Sequence, residues 1–218
     1  MSSRPVLVVG ASRGIGAELV RQYLASGHQV HATVRDVAAP GELADIEGDL
    51  ILHQLDVRDG ARATELAAEL ADAELAVAIH NAGINRAHSA AELQEVNSVA
   101  PIRLVEELLA AGAVRPGGVA AIMTSQMGSR NGRTHSLGDY GESKAILNDH
   151  FRLRANDWGE HGVIAVVVHP GWVRTDMGGD SAPLTVEESV TGMRTLFGGL
   201  ARADHGRFWA WDGHELPW

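Results

Sequence analysis

The sequence contains no cysteine among its 218 residues. This absence excludes disulfide frameworks, thiolate metal sites and a cysteine nucleophile, and it permits a reducing compartment. The other common metal ligands give no support either, because the eleven histidines are scattered and none stands in an H-E-x-x-H spacing. We therefore predict no metal site in this chain.

Basic residues are in the minority. Lys and Arg together number 18 against 28 Asp and Glu, so the net charge is -10, and no block of like charges is visible. Such a chain has no electrostatic footprint for a polyanion. We expect neither nucleic acid nor an anionic membrane surface as a partner.

Long hydrophobic runs are missing as well. The chain has no stretch of about 18 apolar residues, the length that a membrane-spanning helix needs. From Met1 through Arg4 it passes directly into the short apolar run 6–9, without a long hydrophobic leader segment. We expect a soluble, intracellular protein with a cytoplasmic location.

The chain does contain a regular alternation of short apolar runs with longer segments of helical period. This order is typical of βαβ units and of a parallel sheet covered by helices on both faces. The length suits one α/β domain, residues 1–218, and is too short for two ordinary catalytic domains. The apolar runs predict strands near 5–9, 29–34, 50–55, 75–80, 118–124, 162–168 and 207–211. The periodic segments predict helices near 14–26, 41–47, 60–71, 89–112, 139–160 and 185–203.

A glycine-rich turn follows the first predicted strand. Gly10, Gly14 and Gly16 have the spacing G-x-x-x-G-x-G, which differs from the dinucleotide fingerprint G-x-G-x-x-G. Glycine tolerates positive φ and close backbone approach, and the free amides at a helix N-terminus attract a pyrophosphate. The same spacing also suits an ordinary turn between a strand and a helix, so the glycines alone leave both interpretations open.

Lys144 is the only lysine in the chain, and it stands four residues after Tyr140, one of two tyrosines. Residues i and i+4 share a helix face. A compact ammonium fits beside a phenol and neighbouring hydroxyls, where a planar guanidinium fits poorly. A positive charge about 4 Å away is worth on the order of 4 kcal/mol at an effective dielectric near 20, which would lower the pKa of a phenol considerably. The alternative is an exposed aromatic and a solvated lysine on an amphipathic helix.

These motifs belong to an ordered set that resembles the short-chain dehydrogenase/reductase family. The stretches 169–179 and 211–218 further resemble the sniffer-like and C-factor-like carbonyl reductases of that family. The resemblance implies a single-domain Rossmann fold, a doubly wound parallel sheet of seven strands with the catalytic site in the same domain. The motifs occur in the family's order: Gly10, Gly14 and Gly16; Asp56-Val57; Asn81-Ala82-Gly83; Asn97; Ser125; Tyr140 with Lys144; and Pro170-Gly171 followed by Thr175.

The resemblance also implies a role for each motif. Tyr140 would exchange a proton with the substrate oxygen, and Lys144 would lower the pKa of Tyr140 and hold the nicotinamide ribose. Ser125 would hydrogen-bond the substrate carbonyl. Asn97 completes the predicted catalytic set, and taken singly several of these residues also suit ordinary turns, caps or loops. The predicted cofactor-binding residues are Gly10, Ser12, Arg13, Gly14, Ile15, Gly16, Arg35, Asp56, Val57, Asn81, Ala82, Gly83, Tyr140, Lys144, Pro170, Gly171, Val173 and Thr175.

Two positions depart from the family's pattern. Val9 stands where a threonine is usual before the first glycine, and His80 stands where an asparagine is frequent before Asn81. Both departures concern structural hydrogen bonds more than chemistry. Five further residues lie near the motifs and line the substrate pocket or pack in the core: Met127, His135, Leu137, Trp172 and Met177.

The end of the second predicted strand indicates the cofactor. In this fold a carboxylate there pairs with the ribose 2′-hydroxyl of NAD, whereas an arginine accommodates the phosphate of NADP. The family-equivalent acidic position is the neutral Val34, Arg35 follows it, and Arg13 in the glycine turn offers a second cation. Two guanidinium groups can bind one phosphate by charge-assisted bonds. We predict NADP(H) in preference to NAD(H), with Asp36 close enough to complicate the assignment.

The leading functional hypothesis is an NADPH-dependent carbonyl reductase, or the same enzyme running in reverse on an alcohol. The cofactor would supply the hydride, and the protein would supply orientation and a proton. One alternative is an NAD-dependent alcohol dehydrogenase. The other is a nucleotide-binding regulatory or signalling protein with little turnover. The expected partners are a small carbonyl or alcohol substrate and, by analogy with the family, further copies of the chain in a homodimer or homotetramer.

The predicted helix 89–112 carries an unusual pair of residues. Asn97 falls on the buried stripe of this helix, where a carboxamide must find hydrogen-bond partners. Pro101 lacks the N–H that would bond to the carbonyl of Asn97. We predict a disrupted helix at 97–101, which leaves the main-chain carbonyl of Asn97 free to hold a water. The resemblance to the family implies that this carbonyl is directed toward Lys144. The alternative is a kinked core helix with Asn97 bonded to a neighbouring strand.

Overall fold

The computed structural model describes residues 4–132 and 138–218. Within these ranges, no helix combines the length and the apolarity that crossing a lipid bilayer would require. The strands are β1 (Val6–Val9), β2 (Val30–Val34), β3 (Leu50–Gln54), β4 (Leu75–His80), β5 (Val114–Met123), β6 (Ile164–His169) and β7 (Arg207–Ala210). The helices are α1 (Gly14–Ala25), α2 (Gly60–Glu69), α3 (Ala90–Gln94), α4 (Ala100–Ala110), α5 (Gly138–Glu160) and α6 (Val186–Gly199).

All seven predicted strands are present, and they form one sheet in the order β3-β2-β1-β4-β5-β6-β7. Every neighbouring pair is parallel. The chain moves outward from β1 to β3 on one side and then crosses back to β4 on the other side. This order is that of a doubly wound Rossmann sheet, as the sequence predicted.

Two apolar cores cover the two faces of the sheet. Because successive side chains of a strand point to opposite faces, Val6 and Val8 pack on one side and Leu7 and Val9 on the other. The first core includes buried residues of α1 and α6, and the second includes residues of α2, α4 and α5. Both faces are buried, which explains why the strands are continuous apolar runs.

The helix predicted at 41–47 is wrong. The chain forms only a short 3-10 turn at Gly41–Leu43. Gly41 has a φ of +69°, and the amide of Glu42 donates a hydrogen bond to the carbonyl oxygen of Ser12, at 2.8 Å. These tertiary contacts hold the segment against the glycine turn and prevent a regular helix.

The helix predicted at 89–112 is interrupted, as expected. A π-helical segment, Glu95–Val99, separates α3 from α4. Its wider hydrogen-bond spacing is seen at Ala100, whose amide donates to the carbonyl oxygen of Glu95. Pro101 follows directly, in the first turn of α4, where its missing N–H is tolerated.

Candidate active site

The predicted site residues meet at the edge of the sheet where the strands end. Gly10 follows β1, Asn81 follows β4, Ser125 comes two residues after β5, and Pro170 follows β6. The strand order reverses between β1 and β4. In open α/β sheets, ligands bind in the crevice outside such a reversal.

The glycine turn depends on close backbone contacts. Gly10 has a φ of +79°, and a Cβ there would lie 2.7 Å from the Cα of Ala82. A Cβ at Gly16 would collide with the carbonyl oxygen of Gly10. The side chain of Asn81 donates from Nδ2 to that same carbonyl, at 2.8 Å. The structure therefore joins two motifs that lie far apart in the sequence.

A hydroxyl from a neighbouring strand binds the amide of Gly10. The Gly10 N–H donates to Oγ1 of Thr33 on β2, at 3.0 Å, and Thr33 is buried. Val9 has no hydroxyl to offer this amide. The amide is nevertheless hydrogen-bonded, because the hydroxyl of Thr33 on the neighbouring strand takes that place.

Of the two arginines predicted to bind the 2′-phosphate, Arg13 already has a carboxylate neighbour, and so does Arg58, which the sequence analysis did not single out. Arg13 forms an exposed ion pair with Asp176, with 2.7 Å between Nη1 and Oδ2. Arg58 forms another with Asp56, with 2.6 Å between Nη2 and Oδ2. The Arg58 hydrogen bond and charge lower the pKa of Asp56, and the nearby charge of Arg35 lowers it further.

Ser125 and Tyr140 approach each other from different elements. Ser125 is buried at the start of the turn after β5, where its Oγ accepts the amide of Met127 at 3.1 Å. Tyr140 lies in the first turn of α5. Burial raises the pKa of Tyr140, and a side-chain hydrogen bond with Ser125 lowers it by a smaller amount.

Lys144 lies one helical turn after Tyr140 and is only 4% exposed. Its Nζ donates to the main-chain carbonyl oxygen of Met123, at 3.0 Å. Burial lowers the pKa of Lys144 from 10.5 to about 8. The lowered pKa that the sequence analysis expected for Tyr140 is not found in this structure, because the effect of burial on the phenol dominates.

Both the oxygen and the nitrogen of the Asn97 carboxamide form hydrogen bonds inside the protein. Its Oδ1 accepts the amide of Ile84 at 2.9 Å, and its Nδ2 donates to the Ile84 carbonyl at 2.7 Å and to Oγ of Ser143 at 3.0 Å. A Cβ on Gly83 would lie 3.2 Å from Oδ1 of Asn97 and 3.5 Å from Nζ of Lys144. A side chain at position 83 would therefore crowd both Asn97 and Lys144. The predicted direction of the Asn97 main-chain carbonyl stays a prediction.

His80, which stands where the family frequently has an asparagine, is buried at the end of β4. It is 3% exposed, and within the described residues neither ring nitrogen has a hydrogen-bond partner. Burial and, to a smaller extent, the charge of Lys144 lower its pKa from 6.5 to about 3. His80 is therefore a neutral imidazole at neutral pH.

The segment after β6 lies beside the glycine turn. The Pro170 carbonyl oxygen accepts a hydrogen bond from Oγ of Ser189, at 2.6 Å, and Gly171 has a φ of +86°. Val173 pairs with Leu184 in an isolated parallel bridge. A Cβ on Gly14 would lie 3.4 Å from Cγ2 of Thr175, which places this predicted cofactor-binding threonine beside the glycine turn.

Three of the five candidate pocket residues lie in the described part of the chain, and all three are exposed: Met127, Trp172 and Met177. Nε1 of Trp172 donates to the Gly178 carbonyl at 2.8 Å, and Asn85 donates to the Met177 carbonyl at 3.3 Å. These three apolar side chains therefore do not pack in the core, and their place in a substrate pocket stays a prediction. His135 and Leu137 lie outside the described residues.

Sequence reasoning missed Glu42, which it assigned to a helix. This residue binds the amide of Gly14 at the beginning of α1, at 3.0 Å. No local spacing links positions 14 and 42, so no sequence signal was available. Among residues 4–132 and 138–218, no group of three or more potential metal ligands is present.

Known proteins share this arrangement. The family model for short chain dehydrogenases matches residues 4–183. Among curated proteins, the C-signal of Myxococcus xanthus is 37% identical over 126 residues, which cover 56% of this chain and 75% of that protein.

Solved structures of carbonyl reductases superimpose on nearly the whole chain. The carbonyl reductase Sniffer of D. melanogaster has a TM-score of 0.87 and 28% identity, over 99% of this chain and 100% of that one. A carbonyl reductase from Pseudomonas aeruginosa in complex with NADP has a TM-score of 0.85 and 36% identity, over 100% of both chains.

Proposed function

The chain belongs to the short-chain dehydrogenase/reductase family and is an oxidoreductase, and on this premise we propose that it is an NADPH-dependent carbonyl reductase. The observation that carries the proposal is the arrangement of three side chains at the carboxyl edge of the sheet. Ser125 and Tyr140 are hydrogen-bonded, and Lys144 is buried one helical turn further along α5. A module that only binds nucleotides has no need of this arrangement.

The residues at the strand ends fit a dinucleotide. Gly10 and Gly16 bring the backbone into contacts that a side chain would prevent, and α1 begins at Gly14, directly after this turn, so its first amides would attract a pyrophosphate. Gly83 leaves the space above Asn97 and Lys144 free of a side chain. When bound, the nicotinamide would supply the hydride.

The protein's own side chains would handle the proton and the developing charge. Tyr140 would give its phenolic proton to the substrate oxygen, and Ser125 would donate a hydrogen bond to the same oxygen. Lys144, with a pKa of about 8, is mostly protonated at neutral pH and would hold the nicotinamide ribose. Asn97 would act by positioning, since its bond to Ser143 reaches the same helix.

The preference for NADPH rests on Arg35 and Arg13. Val34 ends β2 without a carboxylate, and the exposed Arg35 follows it. The similar Pseudomonas reductase was solved with NADP. We propose that the two arginines bind the 2′-phosphate, with Arg13 leaving Asp176 to do so.

Protein-dependent oxidation of NADPH, measured by the absorbance of the reduced nicotinamide, tests the proposal. The panel should contain aliphatic and aromatic aldehydes and ketones, with NADH in parallel. Turnover that is faster with NADPH supports the proposal, whereas reaction with NADH alone supports an NAD-dependent alcohol dehydrogenase. Tight NADPH binding without turnover on any carbonyl or alcohol would contradict an enzymatic role and favour a regulatory one.

A homodimer or homotetramer and a cytoplasmic location stay predictions of the sequence analysis. The small carbonyl or alcohol substrate is part of the same proposal. Sedimentation of the purified chain measures the oligomeric state directly.

A further inference from the structure

Helix α1 begins without a capping residue of its own. Arg13, the residue before it, makes no side-chain capping bond, and the first turn contains no acidic residue. The first amides of a helix lack intrahelical acceptors and carry partial positive charge. Glu42 provides the missing acceptor from a distant turn, because its Oε1 accepts the Gly14 N–H at 3.0 Å.

Several contacts fix the Glu42 carboxylate in this place. Its Oε2 accepts a hydrogen bond from Nη2 of Arg21, at 3.0 Å. Its own amide donates to the carbonyl oxygen of Ser12, at 2.8 Å. Gly41 has a positive φ, and a Cβ there would collide with the same Ser12 carbonyl. The turn therefore lies directly on residues 12–14, where the proposed cofactor would bind.

The carboxylate is charged at neutral pH. Burial alone would raise the pKa of Glu42, but the Gly14 amide and Arg21, together with the more distant charge of Arg13, lower it below its usual value. Arg13 thus lies within the electrostatic range of Glu42 and also contacts Asp176. A phosphate approaching Arg13 must overcome the repulsion of both carboxylates.

We propose that Glu42 is a specificity-determining residue for the cofactor, a fixed carboxylate that reduces the preference of the glycine turn for a nucleotide carrying a 2′-phosphate. This inference rests on the proposed function. A 2′-phosphate brings up to two negative charges to this region, whereas a ribose 2′-hydroxyl brings none. Glu42 also repels the 5′-phosphate that both nucleotides carry, so its effect on the preference appears in the ratio of the two affinities.

The test replaces Glu42→Gln, which keeps the size and the acceptor oxygen for Gly14 but removes the charge. The matched control is Glu47→Gln, an exposed glutamate a few residues further along that changes the net charge equally. The probes are 2′,5′-ADP and 5′-AMP, titrated by calorimetry at low salt. We expect Glu42→Gln to raise the ratio of the 2′,5′-ADP affinity to the 5′-AMP affinity by about threefold to tenfold. Added salt should reduce the difference, because it screens exposed charges.

A second variant covers the case in which Glu42→Gln folds poorly. Glu42→Asp keeps the charge, so the ratio of the two affinities should stay near that of the wild type. A ratio for Glu42→Asp that rises with that of Glu42→Gln overturns the inference. So does a Glu42→Gln variant that behaves like Glu47→Gln. A wild-type protein that binds neither 2′,5′-ADP nor NADPH overturns the proposed function itself.

Discussion

Asn97 and Ser143 are hydrogen-bonded and join the π-helical segment to α5, the helix that contains the proposed catalytic residues. Nδ2 of Asn97 lies 3.0 Å from Oγ of Ser143, whose own hydroxyl donates to the Tyr140 carbonyl at 2.7 Å. Ser98, the next residue, donates to the Ser143 carbonyl at 2.6 Å. The π-helical segment thus positions the beginning of α5, where the proposed catalytic residues Tyr140 and Lys144 lie, through side-chain hydrogen bonds.

Replacing Asn97→Leu should lower kcat more than it raises KM. The leucine would leave the Ile84 amide and carbonyl without their partner, at a cost of about 1–3 kcal/mol for each buried group. We expect a folded protein with a reduced free energy of unfolding, measured by denaturant titration alongside steady-state kinetics. Asn156→Leu, at an exposed position of α5, is the control. A variant whose KM rises while kcat stays unchanged would contradict a positioning role.

Replacing Tyr140→Phe should remove turnover and leave NADPH binding nearly intact. The change deletes one hydroxyl, so the fold survives while the proton donor is lost. Rates and NADPH fluorescence titrations measure the two effects separately. Tyr23→Phe is the matched control, because Tyr23 is buried in the core beside Arg194, away from the strand ends. Turnover of Tyr140→Phe close to that of the wild type would show that the proton donor is another group.

Lys144→Arg should also abolish turnover, although it keeps the positive charge. The ammonium fits a site that is nearly closed to solvent, with the Met123 carbonyl at 3.0 Å. A guanidinium is larger and planar, so it cannot keep this contact and the proposed ribose contact together. Kinetics and NADPH titration of the purified variant test this expectation. Retained activity would indicate that charge alone is sufficient.

Replacing Arg35→Ala should reduce kcat/KM for NADPH by about tenfold to a hundredfold and change kcat/KM for NADH little, because charge-assisted phosphate bonds are each worth about 1.5–3 kcal/mol. The measurement is the ratio of the two values in the same preparation. Arg4→Ala, an exposed arginine at the amino end of β1, is the control. An unchanged ratio would remove Arg35 from the phosphate site.

The stability of the protein should fall as the pH decreases below about 6.5, and His80 should account for a measurable part of the loss. The pKa of His80 is about 3 in the folded chain, compared with the ordinary histidine value of 6.5 in the unfolded chain. As the pH falls, the unfolded chain therefore binds the proton first, and this binding favours unfolding. Between pH 7 and pH 5 this difference amounts to about 2 kcal/mol. Denaturant titrations should show a smaller pH dependence for His80→Asn, while His161→Asn, at an exposed position, should match the wild type. Equal slopes for all three proteins would contradict the buried neutral imidazole.

The sequence by itself determined the class of fold and indicated the residues of the proposed chemistry. Continuous apolar runs predicted all seven strands, because a strand buried on both faces must be apolar throughout. The spacing of Tyr140 and Lys144 placed both on one helix face, and the order of the motifs indicated the family. The proline at 101 predicted the interruption before α4, since proline lacks the N–H that a regular helix needs at that point.

Only the tertiary structure decided what depends on contacts between distant segments. It replaced the predicted helix 41–47 with a turn that places Glu42 on Gly14. It also raised the pKa of Tyr140, because burial depends on everything packed around the phenol, whereas the sequence showed only its neighbour Lys144. Periodicity reports which face of an element is apolar. Which polar groups meet across the sheet edge follows from the strand order and the loops, and that information lies in the folded chain.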